Sequence, residues 1–182
     1  MGVVTLAVPC RTDEPALART LAAAHASWER TRDAATHALE VLVCLNGEGG
    51  EGPRADVRAF AERAGASVLE VDVDASPGTD LPPLDGPLAV VVLRTRRAGK
   101  PIAWNVLRAC ARGSLAVFAD ADVSFTPDAV GLLLGALEAE PDVALASAKT
   151  TCAPRAGLFE AIMAAPYGID FPNLSAQLYA AR

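Results

Sequence analysis

Short apolar, β-rich runs alternate along the chain with segments of helical periodicity, and this alternation leaves few folds open. It is the mark of parallel βαβ units, hence of an α/β fold with a mostly parallel central sheet flanked by helices. Val3–Val8 is nearly all apolar, as a strand covered on both faces must be. Thr12, Asp13 and Pro15 then open a helix whose inner stripe is Leu17, Leu21, Ala24 and Trp28. Further strands are predicted over Glu40–Leu45, Ser67–Val73, Leu88–Leu93 and Leu115–Ala119. A second helix starts near Pro53 and stops at Gly65; a third spans Pro101–Ala111 and packs Ile102, Val106, Leu107 and Cys110. Asp74–Pro87 is rich in Pro, Gly and Asp and reads as a loop. Thr126-Pro127-Asp128 predicts a helix that buries Val130, Leu133, Leu134 and Leu137, with Thr126 as its cap. Val143–Ala148 closes the regular core, residues 1–149, and the less regular segment 150–182 ends in a short strand at Leu178–Ala181.

A chain of 182 residues, 52% of them hydrophobic, suits a single domain with a sizeable core over residues 1–182. Its net charge of −6 excludes a general nucleic-acid binder, which needs a clustered basic surface. No apolar run approaches the ~18 residues of a transmembrane segment. The N-terminal MGVVTLAVPC lacks the basic start of a secretory signal, so a cytoplasmic location is expected. Cys10, Cys44, Cys110 and Cys152 form no CxxC pair, which argues against zinc or redox chemistry and for small buried hydrophobes. His25 and His37 have no metal-type neighbours at suitable spacing and are placed in or just after the first helix.

Chemistry concentrates at Phe118-Ala119-Asp120-Ala121-Asp122, where an apolar strand delivers two carboxylates to its carboxyl end. In open α/β sheets that edge is where ligands bind. Two neighbouring carboxylates repel and call for a cation; magnesium or manganese bridging a carboxylate to a diphosphate is the natural use. The other use of such a pair, capping the next helix, is weakened because Thr126 is placed to do so. Arg96-Arg97-Ala98-Gly99-Lys100 ends at a predicted helix N-terminus, which favours an anion, although a solvated basic turn is equally compatible. The first strand carries no Gly-x-Gly-x-x-Gly, the basic turn no Walker A spacing, and the chain no Gly-x-Ser-x-Gly elbow.

Taken in order, Gly99-Lys100-Pro-Ile-Ala-Trp-Asn105, Gly113, an apolar strand, Asp120-Ala-Asp122 and Thr126-Pro127-Asp128 resemble the family-2 glycosyltransferases, which have a Rossmann-like GT-A fold. VTLAVPCRTDEPALARTL is similar to that family's first strand and nucleotide-facing loop, Leu42–Gly49 to its second strand and loop, and Asn173–Arg182 to the strand after the acceptor region. The resemblance implies a transferase moving a sugar from a nucleotide diphosphate sugar to an acceptor, with Mg2+ or Mn2+. By position it implies that Pro9, Arg11 and Glu14 line the base, that Asp120 stands near the ribose, that Asp122 is the metal ligand and that Lys100 and Asn105 lie beside the nucleotide. Asn46 stands where the family usually has an acidic residue, and as an amide it would both donate and accept toward base or ribose. Trp104 replaces a commonly smaller residue, and of the two explanations, core packing and substrate stacking, core packing is favoured.

The family's acidic general base follows the strand that here finishes at Arg182, and no acidic residue follows Asp170, the one candidate base in this chain. Three readings follow: a fragment, an enzyme completed by a partner chain, or a non-catalytic nucleotide-sugar-binding module. A nucleotidyltransferase is a further alternative, disfavoured because Pro9-Cys10-Arg11-Thr12 is not a Gly-rich phosphate loop. The chain is expected to bind donor without transferring sugar unaided. An apolar patch near Phe159, Ile162, Met163 and Tyr167 is expected, with either self-association or a partner chain through that region, or a disordered remainder in the parent protein.

Overall fold

A computed structural model describes residues 2–31, 34, 36–75, 81–84, 86–140, 142–148 and 178–182. In chain order they form β1 (Gly2–Arg11), α1 (Leu17–Glu29), β2 (His37–Asn46), α2 (Glu51–Arg63), β3 (Val68–Asp72), β4 (Leu88–Thr95), α3 (Lys100–Cys110), β5 (Leu115–Ala119), α4 (Ala129–Ala139), β6 (Leu145–Ser147) and β7 (Leu178–Ala181). The strands make one sheet in the order β3-β4-β2-β1-β5-β7-β6. Its first five strands run parallel, while β7 is antiparallel to β5 and β6 antiparallel to β7. The α/β fold with a mostly parallel sheet is therefore present.

Alternation along the strands sends side chains to two apolar layers. Val4, Leu6, Val8 and Cys10 of β1, with Val41, Val43 and Leu45 of β2, meet Leu17, Leu21, Ala24 and Trp28 of α1 and the inner faces of α2 and α4. Ala7, Leu42, Cys44, Val91 and Leu93 face the other way, onto Ala103, Leu107 and Cys110 of α3. Helix α3 thus buries Ala103, while Ile102 and Val106, expected in the core, are only partly covered. No helix among the described residues is long and apolar enough to cross a membrane.

Several boundaries differ from expectation because pairing outlasts the apolar pattern. β1 runs on to Arg11 because its register with β2 holds from Gly2–His37 to Arg11–Asn46, so His37 begins a strand. On its other edge β1 pairs with β5 only from Val4–Leu115 to Ala7–Phe118. Pro9, which has no N–H to donate, lies past that last bridge. The two strands end out of step there, and a crevice opens between them.

Helix α4 corrects the capping assignment. Its N-cap is Asp128, whose side chain makes no capping bond; Ser27 Oγ of α1 accepts the Val130 N–H at 3.0 Å, and Thr126 contributes only its backbone carbonyl, which accepts from Ala129 N at 3.1 Å. The cause is that the helix starts at Ala129, leaving the Thr126 side chain outside the first turn. Asp120 and Asp122 are likewise not caps, so the capping use of that pair is excluded on position.

Candidate functional site

The β1→α1→β2 connection moves to one side of β1, whereas α3 leads to β5 on its other side. The crevice beyond the carboxyl ends of β1 and β5 is thus the switch point where open α/β sheets bind ligands. A cleft of about 680 Å3 occupies it. Its lining includes Pro9, Arg11, Thr12, Asp13 and Glu14 after β1, Asn46, Gly47 and Glu48 after β2, Gly99 and Lys100 at the start of α3, and Asp120, Ala121 and Asp122 after β5. Pro9, Arg11, Glu14, Asn46, Lys100, Asp120 and Asp122, far apart in sequence, meet in this one place.

Lys100, the first residue of α3, sets its ammonium 2.7 Å from Oδ1 and 2.8 Å from Oδ2 of Asp120. Burial in the cleft pushes the Asp120 carboxyl above its ordinary value; Lys100 opposes that rise and the charge of Asp122 adds to it. Asp122 is exposed and has no hydrogen-bond or ion-pair partner among the described residues. Arg11 makes a two-pronged bond to Asp13, with Nε to Oδ1 at 3.0 Å and a guanidinium nitrogen to Oδ2 at 2.7 Å. That bond holds the Asp13 carboxyl below its usual range. Glu14 turns back to accept the Ala16 N–H at 2.9 Å, which ties down the entry to α1. Asn46 donates from Nδ2 to the Cys10 carbonyl at 2.9 Å and accepts the Gly99 N–H on Oδ1 at 3.0 Å.

The turn from Thr95 to Gly99 is held from below by Asp74. Its carboxylate accepts from Thr95 Oγ1 at 2.9 Å and from the Arg96 N–H at 2.7 Å, and the backbone bond to Arg96 chiefly lowers its pKa. A carboxylate whose folded pKa is depressed stabilises the turn above its unfolded value, about 3.9, and loses that effect as pH falls through the folded value. Amide exchange at Arg96, followed from pH 6 toward pH 3 and corrected for intrinsic rates, should therefore lose protection only at the acid end. Asp74→Asn should flatten the profile.

Asn105 is not in this cleft. It lines a second cavity, of about 410 Å3, on the α3 face of β5 and β7, with Trp104, Arg108, Phe118 and Tyr179. The reason is helical phase: Lys100 at the first residue of α3 reaches the sheet edge, and Asn105 lies over a turn further along. Trp104 stacks with Phe118 at 4.9 Å and with Tyr179 at 5.2 Å between ring centroids, a packing role as expected. Burial, with the charge of Asp120 second, pushes the Tyr179 hydroxyl up to about 12. Cys10, Cys44 and Cys110 are buried free thiols, the first two pushed to about 12 by burial, which suits inert core residues. Cys152, Asp170, Phe159, Ile162, Met163 and Tyr167 lie outside the described residues.

Asp13 and Glu48 are cleft residues that the sequence reading passed over. The strand-end rule applied to Asp120 would also have found Glu48, two residues beyond β2. Asp13 needed the fold, because only there does it border the cleft, with Arg11 as its partner.

Residues 5–156 match the family model described as Glycosyl transferase family 2. Among solved structures, the fold is similar to that of the mannosyltransferase PcManGT from Pyrobaculum calidifontis in complex with GDP-Man and Mn2+, with a TM-score of 0.60 and 24% identity. That likeness covers 98% of this chain but 44% of the other, so this chain spans less than half that protein's length. No curated protein matches the chain. Because the family model covers most of its residues, the chain belongs to glycosyl transferase family 2.

Proposed function

We propose that residues 1–182 form one nucleotide-sugar-binding domain whose cleft takes a nucleotide diphosphate sugar with Mg2+ or Mn2+, for transfer of the sugar to an acceptor. The observation that carries this reading is the meeting of Arg11, Lys100, Asp120 and Asp122 at the switch-point cleft. Five carboxylates line it, Asp13, Glu14, Glu48, Asp120 and Asp122, against the two cations Arg11 and Lys100. An anionic diphosphate entering so acidic a cleft needs an added positive charge.

The residues fit a divalent ion. The described residues contain no group of three or more metal-type side chains, but Asp122 has an unengaged carboxylate in the cleft. One protein carboxylate, with phosphate oxygens and water, is an ordinary ligand set for Mg2+. When bound, the ion supplies charge stabilisation for the leaving diphosphate. Asp120, held by Lys100, presents carboxylate oxygens to ribose hydroxyls, and Lys100 brings its charge to the same wall. Pro9 and Arg11 stand where the base would lie. That PcManGT was solved with GDP-Man and Mn2+ supports these ligand classes. The buried free thiols suit the reducing interior of a cytoplasmic protein. The base that takes the acceptor's proton is expected in sequence following Arg182, and Asp170 becomes the first residue to test only if these 182 residues transfer sugar unaided.

Calorimetric titration with UDP, GDP, ADP and CDP, in Mn2+ and in EDTA, tests the reading. At least one diphosphate should bind in Mn2+ and weaken at least about tenfold without it. No binding of any diphosphate under either condition would overturn it. Donor consumption with an acceptor panel then separates a transferase from a binding module.

A further inference from the structure

We propose that Asn46 is a strut joining the two walls of the cleft, and that it positions Lys100 and the end of β1 instead of reading the base. This inference rests on the cleft being a nucleotide site. Asn46 ends β2 with only 8% of its surface exposed. Through Nδ2 it holds the Cys10 carbonyl, next to Arg11; through Oδ1 it holds the Gly99 N–H, next to Lys100. Both ends of the amide are therefore engaged within the protein, on opposite walls. Gly99 stands at φ +131°, a region that favours glycine, and its N–H partner in this turn is the Asn46 oxygen. Gly47 N also bonds the Thr95 carbonyl at 2.9 Å, so the β2 end and the β4 end are tied side by side just below the same turn.

The residue type follows from this duty. A neutral amide of this length donates at one end and accepts at the other, which matches both contacts. A carboxylate there would keep the acceptor for Gly99 but set an oxygen against the Cys10 carbonyl. Asparagine in place of an acidic residue is thus explained by the internal bonds, without any contact to a base.

The test combines ligand affinity with local amide exchange, well below the melting temperature, in Asn46→Ala and Asn46→Asp. A strut predicts that Asn46→Ala weakens every diphosphate that binds the wild type by a similar factor, about tenfold, in Mn2+. Their order of affinity stays unchanged. It also predicts that the losses from Asn46→Ala and Lys100→Met are not additive, since the first already displaces the second residue. A loss confined to one base overturns the strut and makes Asn46 a base reader; strictly additive losses overturn its link to Lys100. Without any ligand, hydrogen exchange at the Gly99 amide should quicken about tenfold in Asn46→Ala and stay near the wild-type rate in Asn46→Asp, which keeps the acceptor. Unchanged Gly99 exchange in Asn46→Ala overturns the strut whether or not nucleotide binds. Absence of nucleotide binding by the wild type, with Gly99 exchange responding as described, overturns the proposed function alone.

Discussion

Asp122→Ala is expected to lower the affinity for a nucleotide diphosphate in Mn2+ on the order of a hundredfold, to the level the wild type shows in EDTA. Both oxygens of Asp120 lie within 2.8 Å of the Lys100 ammonium, so that carboxylate is already engaged and does not readily replace Asp122. Asp122 itself sits in the turn after β5 with no side-chain partner among the described residues. Its loss should accordingly leave stability within about 0.5 kcal/mol of the wild type. Calorimetry in Mn2+ and in EDTA, with a thermal melt of the same sample, measures both quantities. A variant that kept the Mn2+-dependent share of affinity would move the ligand role elsewhere, and Glu48, another carboxylate lining the cleft with no side-chain partner among the described residues, would be the next residue to replace.

Glu40→Ala should produce the largest loss of stability, about 3 kcal/mol in urea denaturation followed by circular dichroism. Glu40 is fully buried in β2, toward the amino ends of the strands and away from the cleft. It accepts from Thr5 Oγ1 at 2.7 Å, from Arg112 N at 3.1 Å and, on its other oxygen, from Arg112 Nε at 2.5 Å. Arg112 also donates to the Pro82 carbonyl, and Gly113 N donates to Thr5 Oγ1 at 3.0 Å. Removing the carboxylate strands a hydroxyl, a backbone N–H and part of a guanidinium at once. Arg112 retains a quarter of its side-chain exposure, which keeps the expected figure at the lower end for a broken buried pair. Gly113 is tightly placed in the same cluster, since a Cβ there would come 2.7 Å from both Leu115 O and Thr5 N. Glu40→Gln, which keeps the shape and an acceptor oxygen, should lose about half as much. Nucleotide affinity should be unchanged in both variants, because the cluster and the cleft lie toward opposite ends of the strands.

By itself the sequence determined which segments are strands and helices, and that two carboxylates stand at a strand's carboxyl end. These are local matters: a strand covered on both faces has to be mostly apolar, as β1 is apart from Thr5 and Arg11 and as β5 is throughout, and a helix on a sheet has to carry a stripe such as Leu17, Leu21, Ala24 and Trp28. The order of motifs also placed the chain near its family, because the spacing from Gly99-Lys100 to Asp120-Ala-Asp122 is set by one helix and one strand. Only the tertiary structure decided that β5 lies against β1, that their pairing stops at Ala7–Phe118, and that Arg11, Asn46, Lys100 and Asp122 therefore share a cleft. It alone decided that Thr126 does not cap α4, that Asn105 faces another cavity, and that Asn46 is held at both ends of its amide. Such outcomes depend on which donors and acceptors meet when separate strand ends converge, and no periodicity along the chain records a partner more than 50 residues away, as Gly99 is from Asn46.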